Sequence, residues 1–212
     1  MPAHRLICFP GLSVSAGQLN KGKCLFTTMP FSAGSEMLAE EALISSAPIE
    51  FGALTKLLSR LPEAKCREIF ELVDVHSGCD VTYEEAKLCF ADVERGAPFT
   101  SAESTRMGLT SMNFGGILRT NSMPQDGDVH GLYAVCCRAN HSCSENASCQ
   151  WSAARERQVL VAKRDIEKGE EVTVNYIQGY EGEDLEERRA RLRDGFHFEC
   201  DCERCGADNE PG

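Results

Sequence analysis

The sequence predicts a mostly β protein with a helical insertion and a cysteine-rich C-terminal segment. Strand-like stretches separated by turns occupy residues 1–44 and return in residues 121–212. Between them, residues 45–120 carry apolar side chains at helical spacing. With 212 residues, of which 42% are hydrophobic, the chain is long enough for one large domain or for a domain with an insertion.

The first region predicts two strands around a turn. "CLFTTMPF" (24–31) and "EMLAEEALI" (36–44) are strand-like, and Gly34 lies in the "SAGS" turn between them. In the last region, "QVLVAKRDI" (158–166) and "EEVTVNYI" (170–177) flank the turn "EKGE" in the same way.

The middle region predicts helices. Cys66, Ile69, Phe70 and Val73 fall at i, i+3, i+4 and i+7, which gives one apolar stripe, and Pro62 suits a first helical turn. A second helix is expected to begin at Thr82, where Glu85 completes a capping box.

The stretch between these helices, Asp74 to Glu85, has the length and end residues of a helix–loop–helix calcium loop. His76 and Gly78 stand where oxygen ligands are needed, and Cys79 stands where the turn requires glycine. The stretch is therefore predicted to be a polar linker.

A charged helix is predicted in "EDLEERRARLRD" (183–194). Asp184 with Arg188 and Glu187 with Arg191 form i, i+4 pairs in the favourable order. The arginines are accordingly expected to form a solvated helix face rather than a nucleic-acid patch.

Charge and cysteine usage limit the possible functions. The chain has 22 basic and 33 acidic residues, a net charge of -11, which disfavours nucleic-acid binding and could steer a basic substrate towards it. No stretch is long enough to predict a membrane span, and Pro10 and Gly11 interrupt the apolar run of a signal peptide. We therefore expect a reducing cytoplasmic or nuclear location, where the 12 cysteines are metal ligands or core thiols.

Three cysteines near the end, Cys200, Cys202 and Cys205, have the C-x-C-x-x-C spacing of soft-metal ligands. A structural zinc site needs four tetrahedral ligands, so a fourth must come from elsewhere in the chain. Spacing alone leaves the candidates open: Cys143, His141, Cys149, Cys136 and Cys137.

Several segments together resemble one family. "NHSC" (140–143), "RDIEKGEEVTVNY" (164–176) and "FHFECDCERC" (196–205) are similar to the C-terminal half of SET-domain protein lysine methyltransferases with a post-SET zinc segment, in the style of SMYD-like and small fungal members. Residues 21–44 resemble that family's opening strands, and "MNFGGILRTNSM" (112–123) resembles the segment leading into the second half. The helical part shows no further Cys/His pairs, so no MYND zinc module is expected.

The resemblance implies a SET-domain β-clip fold of small twisted sheets with a pseudoknot. The first half of the domain is then residues 1–44, a helical insertion is 45–106, and the second half is 107–180. The post-SET zinc segment and tail are residues 181–212.

The resemblance also implies the site. Tyr176 would be the catalytic residue, and Cys143 would complete a structural zinc site with Cys200, Cys202 and Cys205. S-adenosylmethionine would be bound by Lys21, Gly22, Lys23, Asn113, Asn140, His141, Tyr176 and Phe198. The implied reaction is methyl transfer to a neutral lysine amine of a protein, with basic histone tails among the substrates and no direct nucleic-acid or membrane partner.

Three residues depart from the family pattern. Cys24 stands where a second glycine is common, Glu145 replaces a proline before Asn146, and Phe196 replaces a tyrosine of the lysine channel. These departures keep an alternative open, a catalytically inactive SET-like module that zinc stabilises for binding other proteins.

Overall fold

A computed structural model describes residues 8–17, 22–46, 57–95, 98–177 and 182–208. The chain divides into two compact units, which are described separately below. Unit 1 comprises Met1–Glu41 and Val135–Gly212, and unit 2 comprises Ala42–Ala134.

The described residues of unit 1 form three small sheets with the strand orders β1-β2-β3, β4-β10-β9 and β11-β8. All pairings are antiparallel except that of β11 with β8. The strands are β1 (Cys8–Phe9), β2 (Leu12–Ala16), β3 (Lys23–Thr27), β4 (Glu36–Glu40), β8 (Asn140–His141), β9 (Ala147–Ser152), β10 (Arg157–Ala162) and β11 (Thr173–Val174).

The predicted turns of unit 1 are confirmed. Gly34 precedes β4 with φ +78°, and Gly169 lies between β10 and β11 with φ +86°, a backbone region that favours glycine. The β-branched and leucine residues of "QVLVA" explain why β10 is the central strand, because Val159 and Leu160 are buried between two neighbouring strands.

The parallel pair of β8 and β11 brings the "NHSC" segment beside the strand that precedes Tyr176. Thr173 lies opposite Asn140, and Val174 lies opposite His141. The buried Asn146 fixes this arrangement, since its Oδ1 accepts from Thr173 N at 2.8 Å and its Nδ2 donates to Glu171 O at 2.8 Å. The side chain of Asn146 therefore joins two segments that are distant in the sequence, since it lies 27 residues before Thr173.

The chain enters β8 through a short 3-10 helix, Cys136–Arg138. The buried carboxylate of Glu40 accepts from Val135 N at 3.0 Å and from Cys136 N at 2.8 Å. These bonds satisfy backbone donors that have no partner within the helix, and they fix the start of the segment that leads to Asn140.

Two helices follow the last strand of unit 1, α4 (Leu185–Phe196) and α5 (Glu203–Ala207). Asp184 and Glu187 form a capping box at the start of α4, so their carboxylates bond to backbone amides. Arg188 pairs with Asp208 rather than with Asp184, and it is only 2% exposed. The predicted solvated arginine face is therefore wrong at Arg188, because one side of α4 packs into the interior.

In its described residues, unit 2 combines helices with the antiparallel sheet β5-β7-β6. Its elements are β5 (Ile44–Ser46), α1 (Glu63–Ile69), α2 (Tyr83–Arg95), α3 (Ser101–Asn121), β6 (Met123–Pro124) and β7 (His130–Leu132). The predicted capping box is confirmed, with Thr82 N donating to Glu85 Oε2 at 2.8 Å and Glu85 N donating to Thr82 Oγ1 at 3.3 Å.

The predicted apolar stripe of the first helix is correct only in part. Cys66 and Ile69 are buried on α1, but Phe70 caps the helix and Val73 lies beyond it, 50% exposed. Residues between α1 and α2 form the predicted linker. Within it Asp74 Oδ1 accepts from His76 N at 2.9 Å, and Asp74 Oδ2 accepts from Asn113 Nδ2 at 3.1 Å.

Across the stretches that the structure describes, helices are either too short or too polar for a membrane crossing.

Candidate functional site

Four cysteine thiols converge in unit 1. The Sγ atoms of Cys143, Cys200, Cys202 and Cys205 all lie within 4.8 Å of one another, and those of Cys143 and Cys205 are 3.6 Å apart. Tetrahedral zinc with Zn–S bonds of ~2.3 Å requires sulfurs ~3.8 Å apart, so the observed spacing fits that cation. Of the fourth ligands that the sequence left open, the structure places Cys143 with the terminal three.

Local structure explains how the thiols meet. Cys143 lies in the turn after β8, and Cys200 and Cys202 lie in the segment between α4 and α5. Cys202 precedes α5, which carries Cys205. These thiols pack with Ile177 and Leu192 and thus belong to a small hydrophobic cluster of unit 1.

The thiols differ in how easily they ionise. Burial raises the pKa of Cys143 and of Cys200. Burial also opposes ionisation of Cys202, but hydrogen bonds such as that from the backbone of Cys205 outweigh it and lower the pKa of Cys202 to about 6. A divalent cation would remove the penalty of placing four negative sulfurs together.

His141 links the thiol cluster to Tyr176. Its Nδ1 accepts from Tyr176 N at 3.1 Å, so the ring proton is on Nε2, which lies 3.3 Å from Cys143 Sγ. Burial lowers the pKa of His141 to about 4, which keeps the ring neutral in this arrangement. Both ring nitrogens of His141 thus contact groups of the protein itself. The sequence did not predict that His141 would link Tyr176 to Cys143.

Tyr176 lies in an aromatic group. Its ring centroid is 5.4 Å from that of His141 and 4.8 Å from that of Phe196, and Phe198 is 6.0 Å from His141. The phenol donates to Ala139 O at 2.9 Å. Burial raises the pKa of Tyr176, with the Cys137 thiol adding to the effect, so the hydroxyl stays protonated at neutral pH.

Asn140 is held by two contacts of its amide nitrogen. Nδ2 donates to Cys24 Sγ at 2.8 Å and to Glu171 Oε1 at 2.9 Å. Both N–H groups are therefore used, so the only hydrogen bond that this side chain can form with a cofactor is one that its carbonyl oxygen accepts. The fully buried Cys24, which departs from the family pattern, contributes one of these contacts.

The other predicted cofactor-binding residues lie in different settings. Gly22 has φ +69°, and no described residue comes within 4 Å of the position that a Cβ would take there, while Lys23 begins β3. Asn113 belongs to unit 2, where it is buried on α3 and donates to Asp74 and to Cys79 O at 3.0 Å. Lys21 lies outside the described residues. Cofactor contacts at all of these positions remain predictions.

Sequence reasoning missed several contributors to the site. Glu171 and the carbonyl of Ala139 orient Asn140 and Tyr176, but nothing in their neighbours in the chain marks them. Arg188 was assigned to the surface, although it donates to the thiol cluster. The Glu145 carboxylate pairs with Lys163, which gives the proline-free turn a contact of its own.

Comparison with known proteins identifies the family. The SET domain family model matches residues 22–177, well over half of the chain. Histone-lysine N-methyltransferase SMYD3 of Homo sapiens is 45% identical over 75 residues, 35% of this chain and 17% of that protein. Histone-lysine N-methyltransferase set5 of Schizosaccharomyces pombe is 32% identical over 95 residues, 45% of this chain and 29% of that protein.

A third relative, protein-lysine N-trimethyltransferase SMYD5 of Gallus gallus, is 34% identical over 76 residues, 35% of this chain and 18% of that protein. The matches thus cover less than a third of the length of each of these relatives. The fold class of several small antiparallel sheets with helices and a C-terminal cysteine cluster is confirmed. The chain belongs to the SET-domain family.

Proposed function

We propose that this protein is a protein-lysine N-methyltransferase that uses S-adenosylmethionine and holds a structural zinc ion. The observation that carries the proposal is the contact chain from Tyr176 through His141 to the Cys143 thiol. It joins a protonated tyrosine beside an aromatic wall to a four-thiol cluster, within a chain of the SET family.

Zinc would be held by Cys143, Cys200, Cys202 and Cys205. The sulfur spacing fits tetrahedral zinc, and an all-thiolate set leaves no open position for substrate, which is typical of a structural rather than a catalytic zinc site. The ion would tie the segment after α4 to the turn after β8, and thereby hold Phe196 and Phe198 beside Tyr176.

S-adenosylmethionine supplies an already activated methyl group, so the protein contributes mainly placement. Asn140 offers its carbonyl oxygen to this ligand, and Phe198 offers a half-buried aromatic face. No described residue fills the space beside Gly22, which allows a close approach of backbone and ligand, and Lys23 adds a positive charge at the start of β3.

Tyr176 is proposed to orient the lysine amine. A lysine amine must lose its proton before it can attack, and an apolar wall such as Tyr176 with Phe196 favours the neutral form. The phenol oxygen and Ala139 O are two acceptors for its N–H groups, so the nitrogen lone pair can point at the methyl carbon. Such orientation is worth up to ~7–11 kcal/mol of barrier.

The substrate is proposed to be a lysine in a basic protein segment, and histone tails are the leading candidates. SMYD3 and set5 are by name histone-lysine methyltransferases, and a net charge of -11 would attract basic tails. A nuclear or cytoplasmic location suits these substrates.

We also propose that residues 1–44 and 107–180 form the two halves of the SET domain, with 45–106 inserted and 181–212 as the post-SET segment.

The test is transfer of labelled methyl groups to a panel of histones and lysine peptides. We expect Tyr176→Phe to lower kcat about 10²–10³-fold, since one oriented acceptor is lost, while cofactor binding is retained. His141→Ala should lose both turnover and cofactor binding, because the contact to Tyr176 N disappears. Tyr83→Phe in unit 2 is the matched control and should transfer normally.

Thermal unfolding separates this function from the inactive alternative. Stabilisation by S-adenosylmethionine is expected for a methyltransferase and not for a module that only binds other proteins. Wild-type transfer rates in both site variants would contradict the assignment of Tyr176 and His141.

A further inference from the structure

Arg188 is buried in the interior of unit 1, although it belongs to a highly charged helix. It lies in the first turn of α4 and is 2% exposed, whereas Arg193 on the same helix has a side chain 52% exposed. A guanidinium is costly to bury unless its charge is compensated, so its partners reveal why it is there.

The partners of Arg188 lie on two sides. Nη2 lies 2.5 Å from Asp208 Oδ2 and 3.9 Å from Cys205 Sγ, and Nη1 donates to Glu183 O at 2.8 Å. An arginine side chain stays charged in proteins. This guanidinium donates to the Cys205 thiol, and its electrostatic partners also include Cys143, so its charge acts on two of the four clustered thiols.

The net charge of a metal-bound four-cysteine cluster explains what the Arg188 guanidinium can do. Four thiolates around a divalent cation leave two excess negative charges inside the protein. Water screens Asp208, whose side chain is 42% exposed, but Cys143 and Cys205 are 6% and 0% exposed. A fixed N–H donor beside such sulfurs offsets part of the excess charge where solvent cannot.

We infer that Arg188 is a positioning residue of the four-cysteine site, which donates to the sulfur of Cys205, lends its charge to that of Cys143, and thereby strengthens their hold on a bound divalent cation. This inference rests on the zinc site of the proposed function and not on the methyl transfer. Asp208 and Glu183 O then serve to hold the guanidinium in place.

The experiment measures zinc affinity and the rate of zinc release from the full chain. Zinc-loaded wild type, Arg188→Gln, Arg188→Lys and Arg193→Gln are mixed with a chromogenic chelator that reports the freed metal. Arg193→Gln is the matched control, since it removes the same charge from an exposed position of the same helix. We expect Arg188→Gln to lower zinc affinity about 10–100-fold, as is common when a group that supports metal ligands is removed.

The conservative variant guards against misfolding. Arg188→Lys keeps the charge but loses the planar fork, so its affinity should lie between those of wild type and Arg188→Gln. Arg193→Gln should match wild type. Equal release rates for wild type and both Arg188 variants would overturn the inference.

Asp208→Asn distinguishes the thiol contact from a merely structural ion pair. If Arg188 acts on the sulfurs, Asp208→Asn keeps most of the affinity, because the guanidinium remains beside Cys205. If Arg188 only anchors α5 through Asp208, the two losses are equal and the inference is wrong. A wild-type chain that binds no zinc would refute the zinc site itself, whereas loss of methyl transfer alone would leave the inference intact.

Discussion

Two polar stretches of the chain look like metal sites in the sequence, and they fold in opposite ways. The first, the unit 2 stretch, runs from Asp74 to Glu85. The second, in unit 1, consists of Cys143 together with the cysteines near the C-terminus, Cys200, Cys202 and Cys205. The first uses its ligand atoms to build its own loop and helix, while the second leaves them facing one another.

In the unit 2 stretch the carboxylates bond to nearby groups. Asp74 Oδ1 accepts from the backbone of His76 and Ser77, and Oδ2 accepts from Asn113 and the Ser77 hydroxyl. Glu85 Oε2 accepts from both the backbone and the hydroxyl of Thr82. These bonds stabilise a turn and a helix start, so a cation would have to break them first.

In unit 1 the ligands come from distant parts of the chain, with Cys143 and Cys205 62 residues apart, and they meet in a cluster in which three of the four thiols are buried. Thiol sulfurs are large, weak hydrogen-bond acceptors, so a backbone amide that donates to Cys202 does not prevent its sulfur from binding a soft cation. A metal site therefore depends on whether its ligand atoms converge and can still bind a cation, and not on ligand spacing alone.

The strongest test of this contrast replaces one cysteine in each stretch. Cys200→Ser should remove zinc from the purified protein and lower its thermal stability greatly, because structural zinc binding is worth ~10–16 kcal/mol in small zinc domains. Cys79→Ser, in the unit 2 loop, should leave the metal content unchanged. Elemental analysis and thermal unfolding with and without chelator provide the measurement. Full zinc content in Cys200→Ser would show that the cluster is not the zinc site.

The same contrast explains what the sequence could predict. Local rules suffice for the capping box of Thr82 and Glu85 and for the turn at Gly34, because all the interacting atoms lie within a few residues. The C-x-C-x-x-C spacing indicates a metal, but it leaves the fourth ligand open. Only the resemblance to the SET family selected Cys143, since its contact with Cys205 depends on the chain path between them.

Arg188 shows where helix rules fail. Its spacing from Asp184 predicts a surface pair, but α4 presents that side to the thiol cluster and Asp184 caps the helix. The sequence also placed Val73 on the apolar stripe of the first helix, but α1 ends at Ile69. An apolar residue at the right spacing does not require the helix to continue. Tertiary packing decided both cases.

A smaller effect is expected from filling the space behind Asp74. A Cβ at Gly116 on α3 would overlap the Asp74 carboxylate, which is held by several hydrogen bonds and cannot move without losing them. Gly116→Ala should therefore cost about 1–3 kcal/mol in denaturant unfolding, despite the better helix propensity of alanine. Gly108→Ala on the same helix meets open space and should stabilise by ~0.5–1 kcal/mol. Equal effects of the two substitutions would mean that the Asp74 loop is not packed against α3.

The smallest effect is expected from calcium. Because Asp74 and Glu85 already accept hydrogen bonds from the protein, and Cys79 occupies the position where a calcium loop needs glycine, added calcium should produce no saturable heat and should not shift the unfolding temperature. Calorimetric titration of the full chain, with Asp74→Asn as control, measures this directly. A saturable heat that disappears in Asp74→Asn would mean that the loop can exchange its internal hydrogen bonds for a cation. The argument that these hydrogen bonds keep a metal out of the loop would then be wrong.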